Sequence, residues 1–322
     1  MTQALVRFGL IGAGRVARNR LAPAIKAAGN ATFHAAASRE RSRAEALGAR
    51  RSYGSYQELL DDPEVDVVCV ATHNGLHREL AIAAMERGKH VLCEKPLAVD
   101  AAECEAMVAV ARATGRHLVE AFMYRFHPQL ARLQELIAAG AIGQLRVVHA
   151  VFRFQLAADE PVRLRPEWGG GALLDVGCYG VNLCRLLLGH APTTVRATAL
   201  FESNEGVDRS LQGLLHYANG TAGIIDCGFD SALHQAVTVI GSEGAIRLLE
   251  PFKPLGQRTA LLLRRGNDEE RFEFAAVDGY RLEVEDLARA VVTGGEPLLG
   301  PEEGLWNARI IDRLLAAART GA

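Results

Sequence analysis

A glycine-rich motif near the start of the chain has residue types and spacing suited to binding a dinucleotide. It reads GAGRVA over residues 12–17 and directly follows the apolar run Val6–Ile11. Gly12 permits a tight turn, Gly14 lets the backbone approach a pyrophosphate, and Ala17 fills a close-packed position. A helix starting here would add amide donors and the positive end of its dipole. The motif predicts cofactor contacts from Gly12, Gly14, Arg15 and Val16.

The end of the second predicted strand selects between the two nicotinamide dinucleotides. An NAD site carries an acidic residue there, whereas an NADP site carries a cation for the 2′-phosphate. This chain has Ser38 and Arg39, with Arg41 and Arg43 close behind, and a guanidinium fork suits a phosphate. Glu40 is a counter-argument. The pattern favours NADP and leaves NAD possible.

Two histidines follow the strand Val65–Ala71. The stretch Thr72-His73-Asn74 lies where the strand ends of such a sheet face the cofactor, and His77 comes one turn later. His73 and His77 have a spacing that can bind zinc on a helix, but a neighbouring glutamate and a third ligand are lacking. We therefore expect all four residues to serve the cofactor site, and we expect no metal.

Glu94-Lys95-Pro96 follows the next predicted strand and reaches the same edge of the sheet. A lysine beside a nicotinamide can hydrogen-bond the reacting oxygen and lower the pKa of a neighbouring acid–base group. A surface Glu–Lys pair in a loop explains the sequence equally well.

A second group of candidate residues lies in GGGALLDVGCYGVN, residues 169–182. Asp175, Tyr179 and Asn182 are spaced to share one face of an α-helix. Together they could accept a proton from an alcohol and orient a polyol. The alternative is structural: Asp175 would complement a helix N-terminus and Tyr179 would pack in the core.

The elements that must position these residues change character near residue 122. Strands and helices alternate before that point, which predicts an α/β Rossmann domain with a parallel sheet over residues 1–122. Short strand-like runs separated by turn signals follow, which predict an α+β domain with a large open, mainly antiparallel sheet over residues 123–322. The last helix could pack back on the first domain.

The composition of the chain limits the classes of binding partner and the cellular location that we expect. The 322 residues carry 36 basic and 38 acidic side chains, so the net charge of −2 offers no field for nucleic acid or an anionic membrane. The six cysteines lack the two-residue spacing of zinc or redox motifs, and we expect buried free thiols. With no signal peptide and no apolar run near membrane-spanning length, the expected location is the cytoplasm. Four basic residues are lysines (Lys26, Lys89, Lys95 and Lys253), and the rest are arginines.

Taken in order, these motifs resemble the Gfo/Idh/MocA oxidoreductase family. The resemblance runs through GAGRVA, Glu94-Lys95-Pro96, the stretch EAFMYRFHP over residues 120–128, Ile142-Gly-Gln, and the glycine-opened segment 169–182. Many members have histidine where this chain has Tyr179 and aspartate where it has Asn182. The tyrosine form resembles the branch of D-xylose dehydrogenase, glucose–fructose oxidoreductase and dimeric dihydrodiol dehydrogenase. Members often have proline in place of His73.

The resemblance implies hydride transfer between a nicotinamide and a sugar, polyol or diol, of the aldose 1-dehydrogenase type. It implies that Lys95 and Tyr179 are catalytic, that Asp175 and Asn182 bind substrate, and that the second-domain sheet forms a homodimer or homotetramer. Further residues expected to line the substrate site are Arg125, His127, Arg153 and Trp168. The alternatives are a reductase of a dicarbonyl or deoxysugar, and a non-catalytic NAD(P)-binding regulatory protein of the same fold.

Overall fold

The chain forms two compact units. A computed structural model describes residues 5–157, 161–189, 191–203, 206–254 and 256–321. Unit 1 comprises Met1–Met123 with Asp278–Ala308, and unit 2 comprises Tyr124–Val277 with Arg309–Ala322. The segment that returns to unit 1 therefore contains the start of the last helix, Pro301–Thr320, and the helix before it, while the rest of the last helix belongs to unit 2.

Unit 1 is built on a six-stranded parallel sheet with the order β3-β2-β1-β4-β5-β6. Its strands are β1 (Val6–Ile11), β2 (Ala31–Ala37), β3 (Arg51–Tyr53), β4 (Val67–Val70), β5 (His90–Glu94) and β6 (Leu118–Ala121). Every residue of β4 is buried, as expected for a strand covered by helices on both faces. The predicted Rossmann fold is confirmed.

The helices of the chain are α1 (Ala22–Ala27), α2 (Arg41–Glu45), α3 (Tyr56–Asp61), α4 (His77–Glu86), α5 (Ala101–Thr114), α6 (Pro128–Ala138), α7 (Cys178–Leu188), α8 (Gly279–Thr293) and α9 (Pro301–Thr320). Neither β3 nor α3 was predicted. The start of α3 nevertheless has a local signal, a capping box in which Ser55 and Glu58 each accept a hydrogen bond from the other's backbone N–H.

Unit 2 contains an eight-stranded sheet with the order β14-β13-β12-β11-β7-β10-β9-β8. Its strands are β7 (Leu145–Gln155), β8 (Thr194–Phe201), β9 (Asp208–His216), β10 (Ala222–Gly228), β11 (Asp230–Gly241), β12 (Ala245–Leu248), β13 (Thr259–Arg265) and β14 (Asp268–Phe274). All neighbours pair antiparallel except β7 and β10, which are parallel. The mainly antiparallel sheet is confirmed, and β12 is an additional short strand.

The segment before α7 departs from the predicted single α-helix. Leu173–Gly177 forms a π-helical turn that runs directly into α7. Within the described residues, Pro166–Leu188 is long and apolar enough to cross a membrane by length and composition, and most of its apolar window is buried inside the protein. This corrects the expectation that no apolar run approaches membrane-spanning length. A core helix that is buried inside a protein passes the same test of length and composition.

All six cysteines are buried and free, as expected. Burial raises the pKa of Cys184 to about 12 and the pKa of Cys69, Cys93 and Cys227 well above the usual range. These thiols stay protonated and act as small apolar side chains.

Candidate active site

The glycine-rich loop after β1 has the geometry that a dinucleotide requires. Gly12 has a φ of +102°, and a Cβ at this position would lie 2.3 Å from the carbonyl oxygen of Ala71 at the end of β4. A Cβ at Gly14 would meet no heavy atom within 4 Å, so the backbone there is open to a ligand. Ala17 is fully buried, which explains why a small residue is needed. The loop fits a pyrophosphate.

The end of β2 places a cation beside this loop. Ser38 is buried, and Arg39 is exposed with no hydrogen bond or ion pair to another described residue. Glu40 is paired instead with Arg43, at 3.7 Å between Oε1 and Nη1, and Arg43 also donates to the carbonyl of Ala13 at 3.3 Å. The acidic residue that argued against NADP is therefore engaged by a neighbouring arginine.

The strand-end residues after β4 lie at the same edge of the sheet. Burial and the charge of Arg39 both lower the pKa of His73. Thr72 donates from Oγ1 to the carbonyl of His73 at 3.3 Å, and Asn74 begins a 3₁₀ turn, Asn74–Leu76. These residues occupy the position expected for cofactor contacts.

Lys95 follows β5 in a loop that is held from behind by a buried histidine. The Lys95–Pro96 peptide is cis, and Lys95 itself is half-buried. His77 is 0% exposed, and its Nδ1 lies 3.0 Å from the Pro96 carbonyl oxygen. Burial lowers the pKa of His77 to about 4, so the imidazole is neutral and donates from Nδ1. The structure gives His77 a place behind the lysine loop, where it positions the loop.

The same loop is held from its other side by Glu120 in β6. Glu120 is buried and accepts from the Leu97 amide at 2.9 Å, while its other oxygen accepts from Asn307 Nδ2 at 2.9 Å. Neither Glu120 nor Asn307 was predicted as a site residue. Glu120 begins the EAFMYRFHP stretch, but no local pattern indicates which backbone amide its carboxylate would reach.

One group of potential metal ligands occurs among the described residues, and it lies away from the lysine loop. His34, Asp62 and Glu64 offer ligand atoms within 4.8 Å of one another. Asp62 accepts instead from Tyr53 at 2.9 Å and from Arg51 at 3.1 Å. The carboxylate is thus satisfied by protein donors, as in a structural network.

In unit 2, Asp175 lies in the π-helical turn and forms an ion pair with Arg163 at 2.6 Å. The turn is tied to the sheet by the buried Asp208 of β9, whose carboxylate accepts from the Leu173 amide at 2.7 Å. Gly171 passes so close that a Cβ would lie 2.3 Å from Asp208 Oδ1. These contacts explain the small residues that open this segment.

Tyr179 is 1% exposed and lies among aromatic rings. Its ring centroid is 5.3 Å from Phe252, 5.6 Å from Phe152 and 5.8 Å from Tyr124. Such distances are typical of tilted and edge-to-face ring packing. The rings restrict the orientation of the phenol that carries the candidate acid–base hydroxyl.

Asn182 differs from the expected picture of one shared α-helical face. Because Asp175 belongs to a π-helical turn, the α-helical spacing does not hold between it and Tyr179. Asn182 is fully buried, and its Oδ1 accepts from Tyr124 Oη at 2.5 Å and from Arg125 Nη1 at 3.3 Å. The amide therefore anchors the Tyr124–Arg125 turn.

The other predicted lining residues each have separate structural partners. His127 is buried and caps α6 by accepting from the Gln129 amide at 3.2 Å. Arg153 in β7 bonds to Asp226 and, at 2.6 Å, to Asp230. Trp168 lies under the guanidinium of Arg165, at 4.5 Å. These contacts show how the three side chains are held within unit 2, and their role in lining a substrate site stays a prediction.

A glycine-loop Rossmann sheet with a positioned lysine at its carboxyl edge defines the class of nicotinamide-dependent oxidoreductases. The chain belongs to the Gfo/Idh/MocA oxidoreductase family. The family's NAD-binding Rossmann domain matches residues 6–122, and its C-terminal domain matches residues 130–247. The resemblance inferred from the motifs is thereby confirmed, as is the assignment as a dehydrogenase or reductase.

Similar proteins cover three quarters of the chain or more. A D-xylose 1-dehydrogenase (NADP(+)) from Haloferax volcanii is 38% identical, with 98% of each chain covered. A trans-1,2-dihydrobenzene-1,2-diol dehydrogenase from Mus musculus is 34% identical over 77% of this chain and 76% of its own. The crystal structure of a 3-ketoreductase from Actinomadura kijaniata with NADP and TDP-benzene has a TM-score of 0.92 and 31% identity, covering 97% of this chain and 98% of that one.

Further structures of that ketoreductase carry a lysine-to-alanine or a tyrosine-to-phenylalanine substitution. The two substituted positions are as far apart in its sequence as Lys95 and Tyr179 are in this one.

Proposed function

We propose that the protein is an NADP-dependent dehydrogenase of an aldose or a related polyol or diol, with Lys95 and Tyr179 as its acid–base pair. The observation that carries the proposal is the lysine loop, which His77 and Glu120 hold from two sides at the carboxyl edge of the dinucleotide-binding sheet. A loop fixed by two buried hydrogen bonds has the preorganisation that catalysis needs. The matching spacing of lysine and tyrosine in the ketoreductase supports the pairing.

The first unit would hold the cofactor. The backbone at Gly12 and Gly14 would bind the pyrophosphate, and Ser38 and Arg39 would bind the 2′-phosphate, since Arg39 has no competing partner in the described chain. When bound, NADP⁺ would supply the acceptor for the hydride that leaves the substrate carbon. The NADP dependence named for the Haloferax enzyme supports this preference.

The proton is handled by the chain's own residues. Tyr179 takes the hydroxyl proton of the substrate as the carbon–hydrogen bond breaks, which leaves a carbonyl. Lys95 hydrogen-bonds the same oxygen and favours the phenolate, because a phenol with a pKa near 10 is a poor base at neutral pH. Asp175 would orient a neighbouring hydroxyl.

The test is a pair of variants with a matched control. Lys95→Ala and Tyr179→Phe should each lower kcat by about a hundredfold or more while NADP still binds. The control is Tyr217→Phe, since Tyr217 is also buried in unit 2 and its hydroxyl has no hydrogen-bond partner among the described residues. Turnover by both site variants at the wild-type rate would overturn the assignment.

A second candidate is reduction of a keto-deoxysugar, favoured by the 31% identity to the Actinomadura ketoreductase. A panel of aldoses, inositols and trans-dihydrodiols with NADP⁺, run beside ketosugars with NADPH, separates the two directions. Absorbance of the reduced nicotinamide reports both. If the protein binds the cofactor but turns over no substrate in the panel, both enzymatic proposals are contradicted in favour of a non-catalytic NAD(P)-binding regulatory protein.

Assembly and location complete the proposal. Exposed apolar side chains on the unit 2 sheet, Leu200 in β8 and Leu233 and Ile240 in β11, suit a homodimer or homotetramer interface. Sedimentation velocity tests this, since a monomer at micromolar concentration contradicts it. Six buried free thiols suit the reducing cytoplasm, and fractionation of the source cells tests that location.

A further inference from the structure

A second lysine lies beside Tyr179 within unit 2. The connection between β12 and β13 contains Phe252 and Lys253, and it is fastened to α6 by Gln129. The amide of Gln129 donates to the carbonyl of Glu250 at 2.9 Å and to that of Pro251 at 3.3 Å. Phe252 is buried and stacks on Phe152 with centroids 5.9 Å apart. The residue that follows Phe252 is therefore held in a defined place.

The ammonium group of Lys253 lies over the ring of the candidate acid–base residue. Its Nζ is 5.5 Å from the ring centroid of Tyr179 and 5.2 Å from that of Phe152. Both distances are within the range of cation–π attraction. Lys253 is half-buried, so the surrounding solvent screens its charge less than at an exposed site.

The other charged groups around Tyr179 are largely neutralised in pairs or bonded to neutral partners. The titratable and charged groups on the elements that pack near Tyr179 are Tyr124, Arg125, Arg153, Arg163, Asp175, Cys178, Cys184, Arg185, Asp226, Cys227 and the exposed Glu250. Asp175 pairs with Arg163, and Arg153 bonds to Asp226. Arg125 donates to Asn182. Lys253 lies over the ring itself.

Burial makes this charge significant for a tyrosine that must act as a base. Burial raises the pKa of Tyr124, the phenol whose ring packs on Tyr179, well above its usual range. Tyr179 is buried as deeply, so burial disfavours its phenolate in the same way. One nearby cation typically lowers the pKa of an acidic group by about 1–3 units, which is too little to bring the pKa of a buried phenol down to neutral pH. A second cation near Tyr179 would lower the pKa of its phenol further.

We propose that Lys253 is a positioning residue for proton transfer, which favours the phenolate of Tyr179 through its charge. The inference rests on the proposed function, in which Tyr179 is the base and Lys95 contacts the reacting oxygen. Lys253 acts through the Tyr179 ring, and it takes no proton from the substrate. The ring becomes more electron-rich on ionisation, so the attraction to Lys253 strengthens in the form that removes the proton.

The kinetic test is the pH profile of kcat/KM for substrate oxidation. Lys253→Met keeps the apolar stem and removes the charge, and it should move the rising limb to higher pH by about one unit, with the wild-type plateau recovered at high pH. Lys253→Arg keeps the charge and should leave the limb near its wild-type position. The control is Lys26→Met, because Lys26 also lies over an aromatic ring, Phe33 at 5.6 Å, in unit 1. A uniform loss of kcat or a rise in KM with an unmoved limb overturns the inference.

A second readout separates this inference from the proposed function. Ultraviolet difference titration detects tyrosinate directly, and the difference between wild type and Tyr179→Phe isolates the ionisation of Tyr179. Lys253→Met should shift that ionisation to higher pH by a similar amount even in a protein that turns over no substrate. A shift without activity supports the role of Lys253 and contradicts the proposed function. An unshifted ionisation contradicts the role of Lys253 whatever the activity.

Discussion

Replacing Glu283 by glutamine is expected to stabilise the protein, and increasingly so as the pH rises. Glu283 lies in α8, which packs against β1 and β2, and it is 1% exposed. Neither carboxylate oxygen has a hydrogen-bond partner among the described residues. Burial raises the pKa of Glu283 well above its usual range, and the charges of Glu94, Asp278 and Asp286 raise it further. The folded protein therefore holds a proton on this carboxyl.

The magnitude follows from the proton that folding must take up. Above the ordinary pKa of 4.5, the unfolded chain loses the Glu283 proton while the folded chain keeps it. The free energy of unfolding then falls by about 1.4 kcal/mol per pH unit until the folded pKa is reached. Glutamine has nearly the same shape as the neutral acid and does not titrate. Relative to wild type, the variant should gain about 1.4 kcal/mol for each pH unit above 4.5 over which the folded carboxyl stays protonated.

Urea unfolding at pH 5, 6 and 7 measures this difference. The control is Glu86→Gln, an exposed position in unit 1 at the end of α4, whose difference from wild type should not change with pH. A pH-independent difference for Glu283→Gln would refute the reasoning, because it would mean that Glu283 is ionised in the folded protein.

Three more predictions concern the cofactor site, the lysine loop and the core of unit 1. Arg39→Ala should weaken NADP⁺ binding by about tenfold or more and leave NAD⁺ binding unchanged, whereas Arg41→Ala should alter neither; titration calorimetry measures both. Glu120 accepts from two donors, the Leu97 amide and Asn307 Nδ2, and Glu120→Gln places an amide NH₂ group against one of them. Calorimetry should therefore show a loss of about 1–3 kcal/mol of stability, and kcat should fall as well. Asp62→Asn should cost about 2–3 kcal/mol at pH 7 by urea unfolding. Burial raises the pKa of Asp62, but its hydrogen-bond donors lower it by more, so the folded pKa lies below the usual value. The stability that the Asp62 carboxylate contributes is therefore lost as the pH falls through the folded pKa. The difference in unfolding free energy between wild type and Asp62→Asn should shrink in acid.

Local sequence patterns were sufficient to predict most of the strands and helices of the fold. The apolar run of β4 and the glycine loop after β1 could be predicted, because burial on both faces and a positive φ each demand particular residue types. Short elements such as β3 and β12 were missed, since three or four residues carry little pattern. The parallel pairing of β7 and β10 depends on contacts between distant parts of the chain.

The site shows the same division. Lys95 and Tyr179 could be singled out by their residue types and surrounding motifs. The residues that position them could not, because their partners are remote in sequence: Glu120 reaches Leu97, and Lys253 lies over Tyr179. Asn182 could be singled out by its spacing from Tyr179, but its hydrogen bond from the hydroxyl of Tyr124 could not be predicted, because Tyr124 is remote in sequence.

The sequence by itself determined the fold class and the dinucleotide loop, and it singled out the lysine and tyrosine proposed to move a proton, because these depend on local backbone and residue chemistry. Only the tertiary structure decided how those residues are held and charged. A buried carboxylate, a neutral histidine and a second lysine acquire their roles from the groups that folding brings within a few ångströms, and hydrogen bonds and electrostatic forces act over those distances. For Tyr179 in particular, the environment of its phenol is set by Phe252 and Lys253, more than seventy positions further along the chain.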